Sequence, residues 1–449
     1  PQDGALFAGM SVRDHLAFAL VIRRRPRAEV NARVAELAKL LEISDLLDRT
    51  TVGLSGGERQ RVALGRALSF RPPREPRYCY HTHIGGDSGG ITMGIRGKLA
   101  IFSVVTLGVT GIVQAPSAVQ AATFDDPGFI DETYVSGLGG VVEMAWMPDG
   151  RLLAAQQSGV VRVVDGGVLE PTPFIDISGQ VNGIRDRGLL GLAVHPDFPS
   201  EPYVYLLFTY DPPETAGQTG LAAPNGRGAR VSRLVRVTAD AANGYSTAVP
   251  GSEVVLMGTN STAAHVDIAA AMNTFSETAC DTAGVPVRDC MPADSESHTI
   301  GSVRFGIDGM LYVGNGDASS YTQRDERALR SLDLDSMAGK IFRIDPITGE
   351  GLADNPFWDG DADSNRSKVF NLGLRNPFRF TVDPVTGEIV IGDVGWGAWE
   401  EINLGSAGDD FGWPCYEGGQ GTNVQQGSYA GLAECAAYYA SNSAEPGDI

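Results

Sequence analysis

An all-β body built from repeated short hairpins is the fold class this sequence predicts for the residues after about 140, and three observations predict it. One device recurs four times: an apolar strand, a turn carrying Pro, Asp or Gly, and a second strand. The chain holds 57 glycines against 20% charged residues, a balance that suits many tight turns better than long surface helices. Its apolar fraction of 43% over 449 residues is ordinary for a folded protein with more than one domain.

The first hairpin runs from Ala145 to Leu153 through Pro148-Asp149-Gly150, and the second from Leu192 through His195-Pro196-Asp197 to Leu206. The third, Phe305 to Val313, turns at Asp308-Gly309, and the fourth, Phe380 to Val390, turns at Asp383-Pro384-Val385-Thr386-Gly387. Hairpins at blade-sized intervals with insertions between them are the pattern of a β-propeller, with a β-sandwich as the alternative.

Charge divides the chain. The net charge is −20, and residues 1–98 carry about +6 of it, leaving about −26 for the remainder. A surface so acidic repels phosphate backbones and excludes nucleic acid as a partner of the larger part, while it suits neutral sugars, calcium or a cationic redox partner. The cysteines divide likewise, Cys79 alone early and Cys280, Cys290, Cys415 and Cys435 late. An even late set suggests two disulfides, and Cys280 with Cys290 and Cys415 with Cys435 is the simplest of three connectivities. None has the paired C-x-x-C spacing of structural zinc.

Residues 93–122 read as a secretory signal peptide: Met93, the basic Arg96 and Lys98, an apolar run from Leu99 to Val113, then Ala118-Val119-Gln120-Ala121-Ala122. The apolar run is short for a membrane span of about 20 residues, although an uncleaved anchor is the alternative. The chain beyond Ala122 is expected to be exported to the periplasm, cell surface or medium of a bacterium, with no stable membrane span after cleavage, where disulfides persist.

Upstream of that signal stands different material. An amphipathic run, Ala28 to Leu47, precedes Leu54-Ser55-Gly56-Gly57-Glu58-Arg59-Gln60 and the helix-like stretch to Leu68. Ser55, the amides of Gly56 and Gly57 and a helix N-terminus can together bind phosphate oxygens. This stretch resembles the signature motif of ATP-binding cassette ATPases, and Pro1-Gln2-Asp3-Gly4 resembles their glutamine loop, with Gln2 in the metal-contacting position. Residues 1–73 therefore look like a mainly α-helical cassette fragment. It lacks the phosphate loop, the acidic strand and the switch histidine, so Gln2, Ser55, Gly56 and Gly57 make at most a vestigial nucleotide site. Residues 74–92 read as a junction.

Gly86-Asp87-Ser88-Gly89-Gly90 and Thr262-Ala263-Ala264-His265 imitate the serine and histidine motifs of chymotrypsin-like proteases. In that family the histidine precedes the serine, and here the order is reversed across a signal peptide. A polar linker and a loop histidine explain them better.

Five ordered motifs carry the main resemblance: Arg187-Gly188-Leu189-Leu190-Gly191 running to Phe198, Gly339-Lys340-Ile341-Phe342-Arg343, Gly373-Leu374-Arg375-Asn376-Pro377, Glu400-Glu401-Ile402-Asn403 and Phe411-Gly412-Trp413-Pro414. Their order and spacing resemble the soluble glucose/sorbosone dehydrogenases, which use pyrroloquinoline quinone (PQQ) and calcium. The resemblance implies a six-bladed propeller, incomplete over residues 123–449 with its last blades expected after Ile449, and an oxidoreductase acting on a sugar CH–OH with a separate, unspecified electron acceptor. It implies that His298, in Ser297-His298-Thr299, is the base that takes the sugar's hydroxyl proton, a task that suits imidazole. Arg375 and Asn376 would contact the quinone, the guanidinium stabilising developing negative charge. Asp317 could orient His298. The carbonyls of Gly395 and Trp396 would bind calcium, a role for oxygen ligands of any residue type.

Two positions depart from the glucose enzymes. Asp186, counted with the cofactor-binding residues, stands where they have glutamine, and Ser297 where they have aspartate before the histidine. Both departures point away from glucose itself. A non-catalytic carbohydrate- or protein-binding propeller, a calcium-dependent lactonase and a cassette ATPase component are the competing functions. His298 with Arg375 discriminates, since a binding module needs neither.

Overall fold

Residues 203–210 read Tyr-Val-Tyr-Leu-Leu-Phe-Thr-Tyr, apolar at nearly every position, so both faces of this strand must be covered. In the computed structural model, Val204, Leu206 and Phe208 enter one buried cluster while Tyr205 and Leu207 enter another. A strand sandwiched in this way sits in a sheet packed on both sides. The structure describes residues 11–22, 27–41, 43–50, 54, 62, 79–81, 90–94, 132–271, 279–397, 399–418 and 425–441. They fall into two compact units.

The larger unit contains four blade-like antiparallel sheets. The first holds β1 (Val141–Trp146), β2 (Leu152–Gln156), β3 (Val160–Asp165) and β4 (Val168–Leu169). The second holds β5 (Leu189–Val194), β6 (Tyr203–Tyr210), β7 (Arg230–Thr238) and β8 (Val254–Met257). The third holds β9 (Ile300–Phe305), β10 (Leu311–Asn315), β11 (Lys340–Ile344) and β12 (Val369–Asn371), and the fourth β13 (Arg379–Val382), β14 (Ile389–Asp393) and β15 (Glu401–Gly405). Each of the four sequence-read hairpins forms the first two strands of one sheet. Three of their turns need a left-handed residue, supplied by Gly150, Gly309 and Gly387 at φ +93°, +77° and +78°.

Successive sheets stack face to face. The same alternation recurs in the third sheet, where Leu311, Val313 and Phe342 face the second while Tyr312 and Ile341 face the fourth. The first strands converge on a common axis, because Gly191 and Gly301 leave no room for a Cβ beside Val303 and the Pro377–Phe378 carbonyls. Arg379 of β13 donates to the Val142 carbonyl of β1 at 2.8 Å, and Arg304 of β9 to Glu143 at 3.0 Å. The all-β expectation holds for this unit, in a propeller-like arrangement.

In the smaller unit, helices α1 (Val12–Ile22) and α2 (Arg27–Leu40) share a core. Val30, Val34, Leu37, Ala38 and Leu41 repeat at helical spacing and pack on Val12 and Leu16, as the amphipathic run leads one to expect. Leu54 and Val62 are buried in the same cluster. Gln2, Ser55, Gly56, Gly57 and residues 95–131, which include most of the signal-peptide reading, lie outside the described residues. Among the described residues no helix is long and apolar enough to cross a membrane.

Both expected disulfides form, Cys280 with Cys290 and Cys415 with Cys435. The second ties the 415 loop to helix α3 (Ala433–Ser441).

Candidate active site

A four-stranded meander that starts at the axis puts two kinds of connection at the same end: the link into each sheet, and the turn between its second and third strands. The residues singled out in the sequence sit on these connections. Arg185, Asp186 and Arg187 lie on the link into the second sheet, His298 on the link into the third, and Arg375 and Asn376 on the link into the fourth. Asp317 lies on the third sheet's second turn, Gly395 and Trp396 on the fourth's. Main-chain bonds stitch them together, across sheets from Asp186 N to Glu296 O at 3.3 Å and from Asp317 N to Arg375 O at 2.8 Å, and within the third sheet from Ala318 N to His298 O at 2.9 Å. Arg185, His298 and Ala318, none a glycine, hold φ of +56°, +53° and +56°, local strain of the kind that concentrates where geometry is imposed.

His298 and Asp317 are both buried, and His298 Nδ1 lies 3.3 Å from Asp317 Oδ1. The approach is electrostatic, off the line of a hydrogen bond. Asp317 is otherwise fully engaged, accepting from the Ser319 amide at 2.9 Å, the Ser319 hydroxyl at 2.6 Å and the Trp413 indole N–H at 2.8 Å. Burial alone would raise its carboxyl, but the facing His298, the Arg375 charge and the Ser319 hydroxyl overcome it and hold the pKa at about 2. Asp317 is thus a fixed anion beside the imidazole.

Arg375 is buried with its Nη1 donating to the carbonyls of Val394 at 2.8 Å and Gly395 at 2.7 Å, and its guanidinium lies 5.2 Å from the Trp413 ring centre. Burial pulls its pKa down while Asp317 and Asp393 pull the other way. The Asp393 carboxylate accepts the main-chain amides of Arg375 at 2.9 Å and Asn376 at 2.6 Å, which fixes the pair. Burial pushes that carboxyl up to about 7 against the two amides. Two polar atoms here are buried without a hydrogen-bond partner, Arg375 Nε and Asn376 Oδ1. One orphaned donor and one orphaned acceptor on adjacent residues leave hydrogen-bonding capacity for a polar ligand such as a quinone.

The calcium reading fits less well. The Gly395 carbonyl accepts from the Arg375 cation at 2.7 Å, a positive charge that would face a calcium ion there, and calcium needs about six to eight oxygens. Among the described residues no group of three His, Cys, Asp or Glu side chains could hold a metal ion. Trp396 instead donates its amide to Glu417 and its indole N–H to the Tyr321 carbonyl at 3.3 Å. Asp186 is exposed and accepts the Ser297 hydroxyl at 2.7 Å, so the two departures from the glucose pattern are bonded to each other beside His298.

Several residues that build this site escaped the sequence reading. Trp413 was legible only as part of a motif, and Asp393 not at all. Arg187 is fully buried and donates to the carbonyls of Gly228 at 2.8 Å, Ala293 at 2.8 Å and Ser295 at 2.8 Å, clamping the segment that leads to His298. Lys340 donates all three ammonium protons, to Arg330 O at 3.0 Å, Ser331 O at 2.7 Å and Ala338 O at 2.7 Å. Ser331 in turn donates its hydroxyl to the Trp413 carbonyl. Glu296, buried, is gripped by the half-exposed Arg185 and Arg227.

The family model described as glucose/sorbosone dehydrogenase matches residues 140–449, more than half of the chain. The chain belongs to the glucose/sorbosone dehydrogenase family. It is 29% identical over 305 residues to the HIPL2 protein of Arabidopsis thaliana, a match covering 64% of the chain and 40% of that protein. The chain thus spans about two fifths of the length of that curated relative. Among solved structures, the PQQ-bound form of an aldose sugar dehydrogenase from Streptomyces coelicolor aligns at a TM-score of 0.45 and 24% identity, covering 66% of this chain and 68% of that one. A separate stretch of 71 residues, 16% of the chain, is 55% identical to the sulfate/thiosulfate import ATP-binding protein CysA of Thermosynechococcus vestitus, covering 21% of that protein. The glucose/sorbosone dehydrogenase motifs and the cassette-like segment are therefore joined in one polypeptide.

Proposed function

We propose that the larger unit is a PQQ-dependent sugar dehydrogenase that oxidises an aldose-like CH–OH. The convergence of His298, Asp317 and Arg375 from three different connections carries the reading, together with the unsatisfied Arg375 Nε and Asn376 Oδ1. PQQ, when bound, supplies an electrophilic carbon that accepts hydride. His298 takes the hydroxyl proton through the ring nitrogen remote from Asp317, and Asp317 stabilises the imidazolium that results. Arg375 and Asn376 hold the quinone, the guanidinium offering a fixed positive charge in a dry setting where it counts most. No step is assigned to calcium. We further propose that residues 93–122 direct export, that the propeller has six blades, and that residues 1–73 are ATP-binding cassette material.

The test is dye reduction by the PQQ-reconstituted protein over a panel of aldoses, with quinone absorbance read in parallel. His298→Asn should lower turnover by about 10²–10⁴, the usual worth of a general base, and leave PQQ bound. Arg375→Ala should weaken PQQ binding as well. Wild-type rates for His298→Asn would overturn the assignment in favour of a non-catalytic binding propeller.

A further inference from the structure

On the same end as His298, where the first and second sheets adjoin, lies a cleft of about 580 Å³, within the ~300–1,000 Å³ range of small-molecule sites. None of the residues lining it is charged or aromatic. Three side-chain amides converge there, each anchored at one end to the main chain. Gln156 Nε2 donates to Gly139 O at 2.6 Å, and Gln157 Nε2 to Arg185 O at 2.6 Å and Arg187 O at 2.7 Å. Asn225 Oδ1 accepts from Gly183 N at 2.7 Å. Carbonyls only accept and amide N–H groups only donate, so these bonds fix which way each amide points. The opposite ends, Gln156 Oε1, Gln157 Oε1 and Asn225 Nδ2, make no hydrogen bond among the described residues.

The cleft thus presents two oriented acceptors and one oriented donor, with the Ser158 and Ser178 hydroxyls able to act either way. Vicinal hydroxyls of a neutral sugar, each both donor and acceptor, match this set. A carboxylate or phosphate does not, because the acceptors would oppose it and no cation compensates. An apolar ligand would leave the amides desolvated and unpaired. Gln157 also ties the cleft to the reacting end. It holds the carbonyls on either side of Asp186, which is bonded to Ser297 next to His298.

We propose that this cleft is a second saccharide subsite, holding a neutral sugar unit adjoining the one presented to His298, so that the substrate is an oligosaccharide. The inference rests on the sugar-dehydrogenase reading for its ligand class. A Cβ on Gly139 would meet nothing within 4 Å, and its backbone is not left-handed, so a large side chain there fills the cleft without strain. Calorimetric or NMR titration of the full chain without cofactor would use glucose, maltotriose, cellotriose and gluconate as probes. One of the trisaccharides should bind more tightly than glucose and gluconate. Gly139→Trp should weaken it about tenfold, the worth of one or two lost hydrogen bonds, while Gly139→Ala should not. Asn225→Asp, which keeps the acceptor toward Gly183 and removes the donor, should weaken it comparably and serves if Gly139→Trp fails to fold. Trisaccharide binding no tighter than glucose, or unaffected by both cleft variants, would overturn the subsite. Failure of the dehydrogenase reading would show instead as absent PQQ binding or dye reduction with the cleft titration intact.

Discussion

The Trp413 indole donates to Asp317 across 96 residues of sequence at 2.8 Å, so one side chain both anchors the anion behind His298 and lies beneath the Arg375 guanidinium. A hydrogen bond to a charged acceptor contributes about 1.5–3 kcal/mol. Trp413→Phe keeps the ring and removes the N–H, and should lower stability by about that amount in denaturant unfolding. Trp396→Phe gives up a longer bond to a neutral carbonyl, 3.3 Å to Tyr321, and should cost less. Equal losses would mean the indole N–H is not what holds Asp317.

Acid stability tests the same anion. Asp317 sits at about 2 against an ordinary 3.8. A depressed carboxyl contributes stability that is fully present above the unfolded value and is lost as pH falls through the folded one, here on the order of 2 kcal/mol. Unfolding midpoints measured from about pH 5 down to about pH 2 should fall more steeply for the wild type than for Asp317→Asn. Parallel curves would contradict the assignment.

Arg187 is a stringent case of a side chain that cannot be exchanged for its nearest relative. Its fork reaches three separate carbonyls, and Lys offers no planar fork. Arg187→Lys should destabilise by roughly 2–3 kcal/mol through carbonyls left unpaired. It should also disorder the segment before His298, read as faster hydrogen exchange at residues 293–298. A variant with wild-type protection there would remove the clamp from the account.

The Cys415–Cys435 bridge closes a segment of sequence separation 20 and carries helix α3, whose Tyr439 hydroxyl donates to Cys415 O at 2.7 Å. Closing a loop of that length stabilises by about 3 kcal/mol. Cys415→Ser with Cys435→Ser should lose roughly that much and release the helix to proteolysis first. Peptide mapping without reduction should recover both local pairs, and a fragment linking Cys280 to Cys415 or Cys435 would refute them.

Local rules explain what was legible. The hairpins could be read because alternation, β-branched residues and turn glycines are written within ten residues, as at Phe305 to Val313. His298, Arg375 and Asn376 were reached through motif resemblance, and the structure brings them to one end with Asp317. Trp413 and Asp393 were not legible as partners, because each acts across tertiary contacts that neither periodicity nor composition encodes. Burial hid Arg187 and Lys340 similarly: a charged residue in a motif reads as surface until the carbonyls around it are seen. That Arg375 reaches the Gly395 carbonyl was hidden for a related reason, since nothing in the sequence says where its guanidinium goes.

The bonds that join Gln157 to Arg187, Asp186 to Glu296 and Asp317 to Arg375 each run from one sheet's connection to another's. No single sheet owns the site around His298, and with the second, third or fourth sheet open its residues are not brought together. Any small molecule that fits there binds only chains in which these sheets are joined and, by mass action, draws the population toward them. The ligand is in that sense an inspector of assembly: its binding counts chains whose sheets are joined, where circular dichroism would count strands.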